Sequence, residues 1–225
     1  MIAKLKQLAR NKGYLIFTEP LKLNIWGFRS PSITPGEFDD EIHVFTNIAN
    51  SADDKIKWAY FVFKCTTDPG TYWLKNPMQQ QGTAILAPNQ YVDAYKIDKH
   101  RNKYHALCQR LRKVEVIRDF NRDSVLDFLS GVKTAGFYGI NIHRARRQGE
   151  TFIVDKWSAG CQVFKNAKDF EFFMKLCEMH RKVHGNKFTY TLVDDKLEGR
   201  SLKRIAIGSL IAGILMAGYF LVTNE

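Results

Sequence analysis

Tyr138-Gly-Ile-Asn-Ile-His143-Arg-Ala145 and Val154-Asp-Lys-Trp-Ser-Ala-Gly-Cys161-Gln-Val-Phe164, with a polar turn at Gln148-Gly149-Glu150 between them, form the segment that decides how this chain reads. Apolar and polar residues alternate up to His143, the pattern of a half-buried strand. That alternation sets His143 on one face with Gly139 and Asn141. Cys161 follows Ser158-Ala159-Gly160, a turn of small residues that would present its thiol to a substrate. The backbone N–H groups of Gly160 and Cys161 would be available there to a developing oxyanion. A hairpin between the two halves would return Cys161 beside His143. A neighbouring imidazole lowers a thiol pKa from about 8.5 and supplies the nucleophilic thiolate. The same spacing also fits a buried cysteine and a strand-end histidine that never meet.

Outward from this segment the chain reads as β-rich. Leu21, Leu23 and Ile25 alternate with Lys22, Asn24 and Trp26. Residues 58–63, 114–117, 137–143 and 188–193 carry further strand patterns, and residues 82–86 and 91–97 read as a strand pair across Pro88-Asn89. Asp169 to His184 is the clearest helix, with Phe170, Phe173, Leu176, Cys177, His180 and Val183 along one stripe. Residues 1–13 place Lys4, Lys6, Arg10 and Lys12 between Ile2, Leu5 and Leu8, as in a short basic amphipathic helix. They hold no apolar run of the kind that marks a secretory signal, so export by the N-terminus is not expected.

Composition bounds the function. The chain has 225 residues, 45% hydrophobic and 25% charged, which excludes wholesale disorder. Lys and Arg number 34 against 23 Asp and Glu, a formal net charge of +11 that favours polyanions such as nucleic acid, anionic lipid or cell-wall polymers. Cys65, Cys108, Cys161 and Cys177 include no Cys-x-x-Cys pair and suggest single thiols rather than a disulfide framework. Cys177, His180 and His184 have a spacing that puts three zinc-competent side chains on one helical face, but that face also carries Phe173 and Leu176. Packing is the preferred reading of the three, and no metal is expected.

Ile205 to Val222 passes without a charged side chain. As a helix those residues would cover about 27 Å, close to the hydrocarbon thickness of a bilayer. The expectation is a single transmembrane helix over 205–222, with 196–204 as a basic hinge holding Lys196, Arg200, Lys203 and Arg204. The basic flank puts the N-terminal part on the cytoplasmic side. Ser209, Gly213 and Ala217 recur every four residues and would admit a second copy of the helix at close range, giving a homodimer.

The segment around His143 and Cys161 resembles the active-site motif of the L,D-transpeptidase catalytic domain family. The features that carry the likeness are a histidine at a strand end, an interval over residues 144–160, and Ser158-Ala159-Gly160-Cys161. The resemblance covers about thirty residues. Ala159 stands where the family usually has a second histidine, and Gln162 and Val163 depart from its usual residues after the cysteine. The resemblance implies a mixed β-sandwich of α+β type with a few helices over residues 14–195. It implies Cys161 as nucleophile, His143 as general base and acid, and Arg144 as the residue whose backbone carbonyl orients the imidazole. Ser158 and Gly160 would shape the turn. Asn141, Gln162 and Tyr138 would contact substrate, with Arg144 or Arg146 able to supply a polar grip.

The expected activity is therefore that of a cysteine peptidase or transpeptidase on peptidoglycan stem peptides, needing no cofactor. The expected setting is a phage lysis or virion-entry protein, anchored by its C-terminal helix in a host bacterial membrane or a virion's internal membrane. The alternative is a non-enzymatic, membrane-anchored virion protein whose basic face holds DNA or lipid.

Overall fold

The computed structural model describes residues 1–32, 34–49, 56–194 and the backbone of 221–224. The elements run α1 (Ile2–Lys12), β1 (Asn24–Arg29), β2 (Asp40–Asn47), β3 (Lys57–Thr66), α2 (Thr71–Lys75), β4 (Thr83–Leu86), β5 (Asn89–His100) and β6 (Tyr104–Gln109). There follow β7 (Val114–Asp119), β8 (Val132–Gly136), β9 (Ile142–Arg144), a 3-10 turn (Asp155–Trp157), β10 (Gln162–Phe164), α3 (Ala167–His184), β11 (Phe188–Asp194) and β12 (Leu221–Asn224).

Among the described residues, nine strands form one sheet in the order β10-β9-β6-β5-β11-β1-β2-β3-β12. A further pairing of β10 with β3, Val163 opposite Thr66 and Phe164 opposite Cys65, closes the sheet on itself. A second sheet has the order β4-β7-β8. The fold is thus β-rich with few helices. The strand pair expected across Pro88-Asn89 does not form: β4 pairs with β7, while β5 pairs with β6 and β11. The two segments alternate alike in sequence, but each finds its backbone partner elsewhere.

Side-chain alternation explains the layers. Ile42 and Val44 of β2, and Ala59, Phe61 and Phe63 of β3, face an interior shared with Phe170, Phe173, Leu176 and Cys177 of α3. Phe45, Trp58 and Tyr60, on the opposite face of the same strands, meet Ile2, Leu5 and Ala9 of α1. Residues 1–13 therefore pack as part of the same folded unit rather than as a separate segment. Each fully buried Phe or Leu in these layers contributes on the order of 1.5–3 kcal/mol. Helix α3 is closed at its start by Asn166, whose side chain accepts the Lys168 N–H, and ends on Arg181, Lys182 and His184, which complement its dipole. Val183 lies off the buried stripe and is exposed.

One buried cation joins the layers. Arg29 at the end of β1 is 2% exposed. Its guanidinium pairs with Asp194 of β11 at 2.9 Å and with Asp68 at 2.7 Å. It also donates to the carbonyls of Thr67 and Leu86, the latter in the second sheet. Asp40 lies in the same cluster and accepts from the N–H groups of Ser30 and Thr67. Burial, then the negative charges of Asp68 and Asp39, hold the Asp40 carboxyl well above the usual range.

No helix among the described residues is long and apolar enough to cross a membrane. The expected span lies outside the described residues except for Leu221 and Val222. Those two are strand rather than helix, and pair with Tyr60 and Ala59 of β3. The hinge at 196–204 and the ladder of Ser209, Gly213 and Ala217 also lie outside the described residues.

Arg29→Met would keep the aliphatic stem and strip Asp194 and Asp68 of their guanidinium. Removing one member of a buried pair costs about 3–5 kcal/mol, and a loss of that size in the unfolding free energy from urea denaturation is the expected outcome. A loss under about 1 kcal/mol would show that the cluster does not hold the layers together.

Candidate active site

The strand pairing puts the two expected residues on neighbouring strands, but not through a hairpin. Strands β9 and β10 run parallel, with Gln162 opposite Ile142 and Val163 opposite His143. The chain between them is a crossover that includes the 3-10 turn. Cys161 then falls next to Asn141, one strand over and two positions along from His143, and period-two alternation puts His143, Asn141, Cys161 and Val163 on one face. Ile142 and Phe164 face the interior cluster instead.

His143 is 4% exposed, and its ring is fixed from several sides. Nδ1 lies 2.8 Å from the Arg144 backbone carbonyl. A carbonyl can only accept, so Nδ1 carries the proton and Nε2 holds the lone pair. Tyr104 donates its hydroxyl to the same carbonyl at 3.2 Å, and the Arg144 guanidinium lies over the Tyr104 ring at 4.4 Å. His100 stacks on His143 with ring centroids 4.1 Å apart. Burial, then the His100 ring, push His143 down to about 3. Burial, then Arg101 and Arg110, bring His100 down to about 4. Both imidazoles are therefore neutral near pH 7.

The Cys161 thiol is half-buried. It donates to the Gly139 carbonyl at 3.4 Å and accepts from the Asn141 N–H at 3.4 Å. It does not hydrogen-bond to His143. Burial raises its pKa, against a lowering contribution from the Asn141 N–H and from Arg101. The resting pair is a thiol and a neutral imidazole rather than an ion pair.

The turn before Cys161 is built tightly. Ser158 is fully buried; its Oγ donates to the Cys161 carbonyl at 2.8 Å and accepts the Gly160 N–H at 3.1 Å. Gly160 has φ +113°, and a Cβ there would come within 2.1 Å of the Ala84 carbonyl oxygen. Only glycine fits. The Gly160 N–H is thus committed to Ser158 and is not the open oxyanion donor expected from the sequence. The Ser158 carbonyl accepts from Gly70 N at 2.9 Å, which ties the turn to the loop after β3.

Two of the expected substrate contacts are internal. Gln162 is fully buried; its Oε1 accepts from the Tyr190 hydroxyl and its amide donates to the Gly160 carbonyl. Its side chain follows the Phe164 face into the core, away from Cys161. Asn141 is 5% exposed, with Oδ1 accepting Gln109 N and Nδ2 donating to His100 Nδ1. Both serve position rather than substrate. Tyr138 is partly buried and lies under the Arg118 guanidinium at 4.5 Å.

Sequence reading missed Gln109, His100 and Tyr104. Gln109 Oε1 accepts from three successive N–H groups, of Tyr138, Gly139 and Ile140, and so shapes the chain that receives the thiol. No local motif marks it, because its partners lie about thirty positions away. Tyr104 and Arg144 also line one end of a groove of about 650 Å³ that runs along α3 past Phe170, Met174, Lys175 and Lys182.

The zinc alternative fails on bonding. His180 Nδ1 accepts Leu23 N, and Nε2 donates to the Lys187 carbonyl, so neither nitrogen has a lone pair for a metal. Cys177 is fully buried in the core. Comparison of the chain with known protein families, curated proteins and solved structures returns no match.

Iodoacetamide labelling of Cys161 between pH 5 and 10, read by peptide mapping, is expected to stay low through neutral pH and to rise only at a more alkaline pH than for an ordinary exposed thiol, because burial raises its pKa. A step between pH 5 and 7 would mean a thiolate–imidazolium pair and would overturn the neutral-pair reading.

Proposed function

We propose that the protein is a cysteine acyltransferase that works on peptidoglycan stem peptides, with Cys161 as nucleophile and His143 as general base and acid. The observation that carries this reading is the Nδ1 hydrogen bond from His143 to the Arg144 carbonyl, beside a cysteine on the same face of the adjoining strand. It leaves Nε2 as the proton acceptor on the face that Cys161 shares. The Ser158-Ala159-Gly160-Cys161 turn adds the resemblance to L,D-transpeptidases, and the positive charge of the chain suits an anionic wall polymer.

The proposed steps run as follows. His143 Nε2 takes the thiol proton as Cys161 Sγ attacks the substrate amide carbonyl. The C–N bond breaks, the imidazolium returns its proton to the leaving amine, and a thioester remains on Cys161. Water or an acceptor amine then attacks the thioester, with Nε2 accepting its proton and passing it to the sulfur. Water makes a hydrolase and an amine makes a cross-link. With Gly160 N–H engaged, the Cys161 N–H is the donor the turn offers to the tetrahedral oxyanion. The groove beside Tyr104 and Arg144, lined by Lys175 and Lys182 and also by Glu171 and Glu178, is the proposed path for the stem peptide and offers partners to both its carboxylate and its amino groups. A phage lytic or virion-entry role, with a membrane anchor after residue 204, is the setting that fits this substrate.

The test is incubation of full-length protein with purified sacculi and disaccharide-tetrapeptides, with products read by mass spectrometry. Cleavage or exchange at the third stem residue is expected. Cys161→Ala should abolish it, and His143→Gln should slow it by about 10²–10⁴-fold. Product formed equally by Cys161→Ala, or none from folded wild-type protein across several stem chemistries, would sink the proposal.

A further inference from the structure

The loop that leaves β7 reads Asp119-Phe-Asn121-Arg-Asp123-Ser-Val125-Leu-Asp127. Oxygen-bearing side chains recur at every second position except Val125. In calcium loops of helix–loop–helix type, positions 1, 3, 5 and 9 supply side-chain oxygens or a bound water, position 7 supplies a backbone carbonyl, and position 6 makes the sharp turn. Counted from Asp119, those places fall on Asn121, Asp123 and Asp127, on the Val125 carbonyl, and on Ser124. Ser124 has φ +72° and Arg122 φ +62°, so the chain doubles back at these residues although neither is glycine.

A second observation comes from Asp119 itself. It is 1% exposed, and its Oδ2 accepts the Asp127 N–H at 3.1 Å. That bond turns the carboxylate into the loop. Oδ1 is buried there without a hydrogen-bond partner. An acceptor-only oxygen buried without a donor is costly, and a cation is the group that would satisfy it.

The loop is also closed around a positive end. Asn121 Nδ2 lies 3.0 Å from Asp123 Oδ2 and 2.6 Å from Asp127 Oδ2, so an amide N–H₂ takes the central place. In this arrangement no three carboxylate, thiol or imidazole groups among the described residues are set to hold a metal. A cation would displace the amide hydrogens, and a half-turn of the Asn121 amide would bring its oxygen inward.

We propose that this loop binds one calcium ion through Asp119, Asn121, Asp123, Asp127 and the Val125 carbonyl. The hard oxygen donors and the loop's ability to adjust favour calcium over magnesium, which demands a tight octahedron. Position 12 is Ser130 in place of the usual bidentate glutamate, which weakens the site toward the affinity of extracellular modules, about 10⁻⁴–10⁻³ M. Such a site is filled outside a membrane and empty in a cytosol. The proposal is independent of any chemistry at Cys161.

The experiment uses the full-length chain in detergent micelles, with equilibrium dialysis against ⁴⁵Ca²⁺ and thermal unfolding in 5 mM CaCl₂ or EDTA. One ion per chain is expected, with a calcium-dependent rise in Tm of several degrees. Asp123→Asn should weaken binding at least tenfold; its amide oxygen can still accept the Val125 N–H that Asp123 Oδ1 holds at 2.7 Å, and its own Tm in EDTA is the baseline for the calcium-dependent rise. Asp119→Asn should remove the Tm rise, and if that variant does not fold, Asp123→Asn still reports on the loop. No calcium bound at 5 mM, binding unchanged in Asp123→Asn, or equal binding of magnesium would each overturn the assignment.

Discussion

The buried guanidinium of Arg29 is the constraint on which the other contacts depend. It draws the end of β1, the end of β11, the loop at Thr67-Asp68 and the end of β4 to one point. Taking a cation and carboxylates out of water costs several kcal/mol per ion, and only close pairing with full hydrogen bonding offsets it. Here every arm of the guanidinium has a partner, and the Phe128 ring closes the remaining side at 5.0 Å. The cluster therefore specifies where the two sheets meet more than it adds stability. It also fixes the loop that leads to Gly70, and through Gly70 it holds the Ser158 turn that presents Cys161.

The candidate site combines a rigid frame with a neutral resting state. His143 is held by the Arg144 carbonyl, the Tyr104 hydroxyl and the His100 ring, so little freedom remains in its imidazole. The same burial that fixes the ring makes it a weak base in the resting protein and makes Cys161 a weak acid. In the proposed reaction, proton transfer would then accompany attack on the carbonyl rather than precede it. A half-buried neutral thiol also resists adventitious oxidation, since the thiolate is the reactive form.

Much of the fold was legible because hydrophobic alternation reports which faces are buried. The strands around Trp58 and Phe188 and the stripe on α3 follow directly from it. Alternation does not report partners, which is why β4 and β5 read as a pair although their hydrogen bonds go to different sheets. The same limit hid the parallel pairing of β9 and β10, since adjacency on one face is compatible with either direction. At the site, the residue types and interval pointed to His143, Cys161 and the Arg144 carbonyl. The roles of Asn141 and Gln162 were not legible, because both are polar residues next to the expected chemistry whose partners, Gln109, His100 and Tyr190, are remote in sequence. The regular Asp-x-Asn-x-Asp spacing at 119–123 was in plain view, but it acquires meaning only from the buried, unpartnered oxygen of Asp119.

The second sheet joins these two regions physically. Asp119 pairs with Thr83 and Arg118 with Ala84 across β7 and β4. The Ala84 carbonyl in turn is the atom against which Gly160 packs, so closely that no side chain is possible there. A shift of β4 by a fraction of an ångström would move the turn that carries Cys161. An ion bound at the β7 end would stiffen the strand that supports this turn. Contiguity of this kind secures position; it becomes regulation only if the sheet has two arrangements that the ion and the substrate distinguish. In the arrangement described, the small sheet acts as a buttress: it backs a turn with almost no side-chain bulk of its own, the turn that carries Cys161.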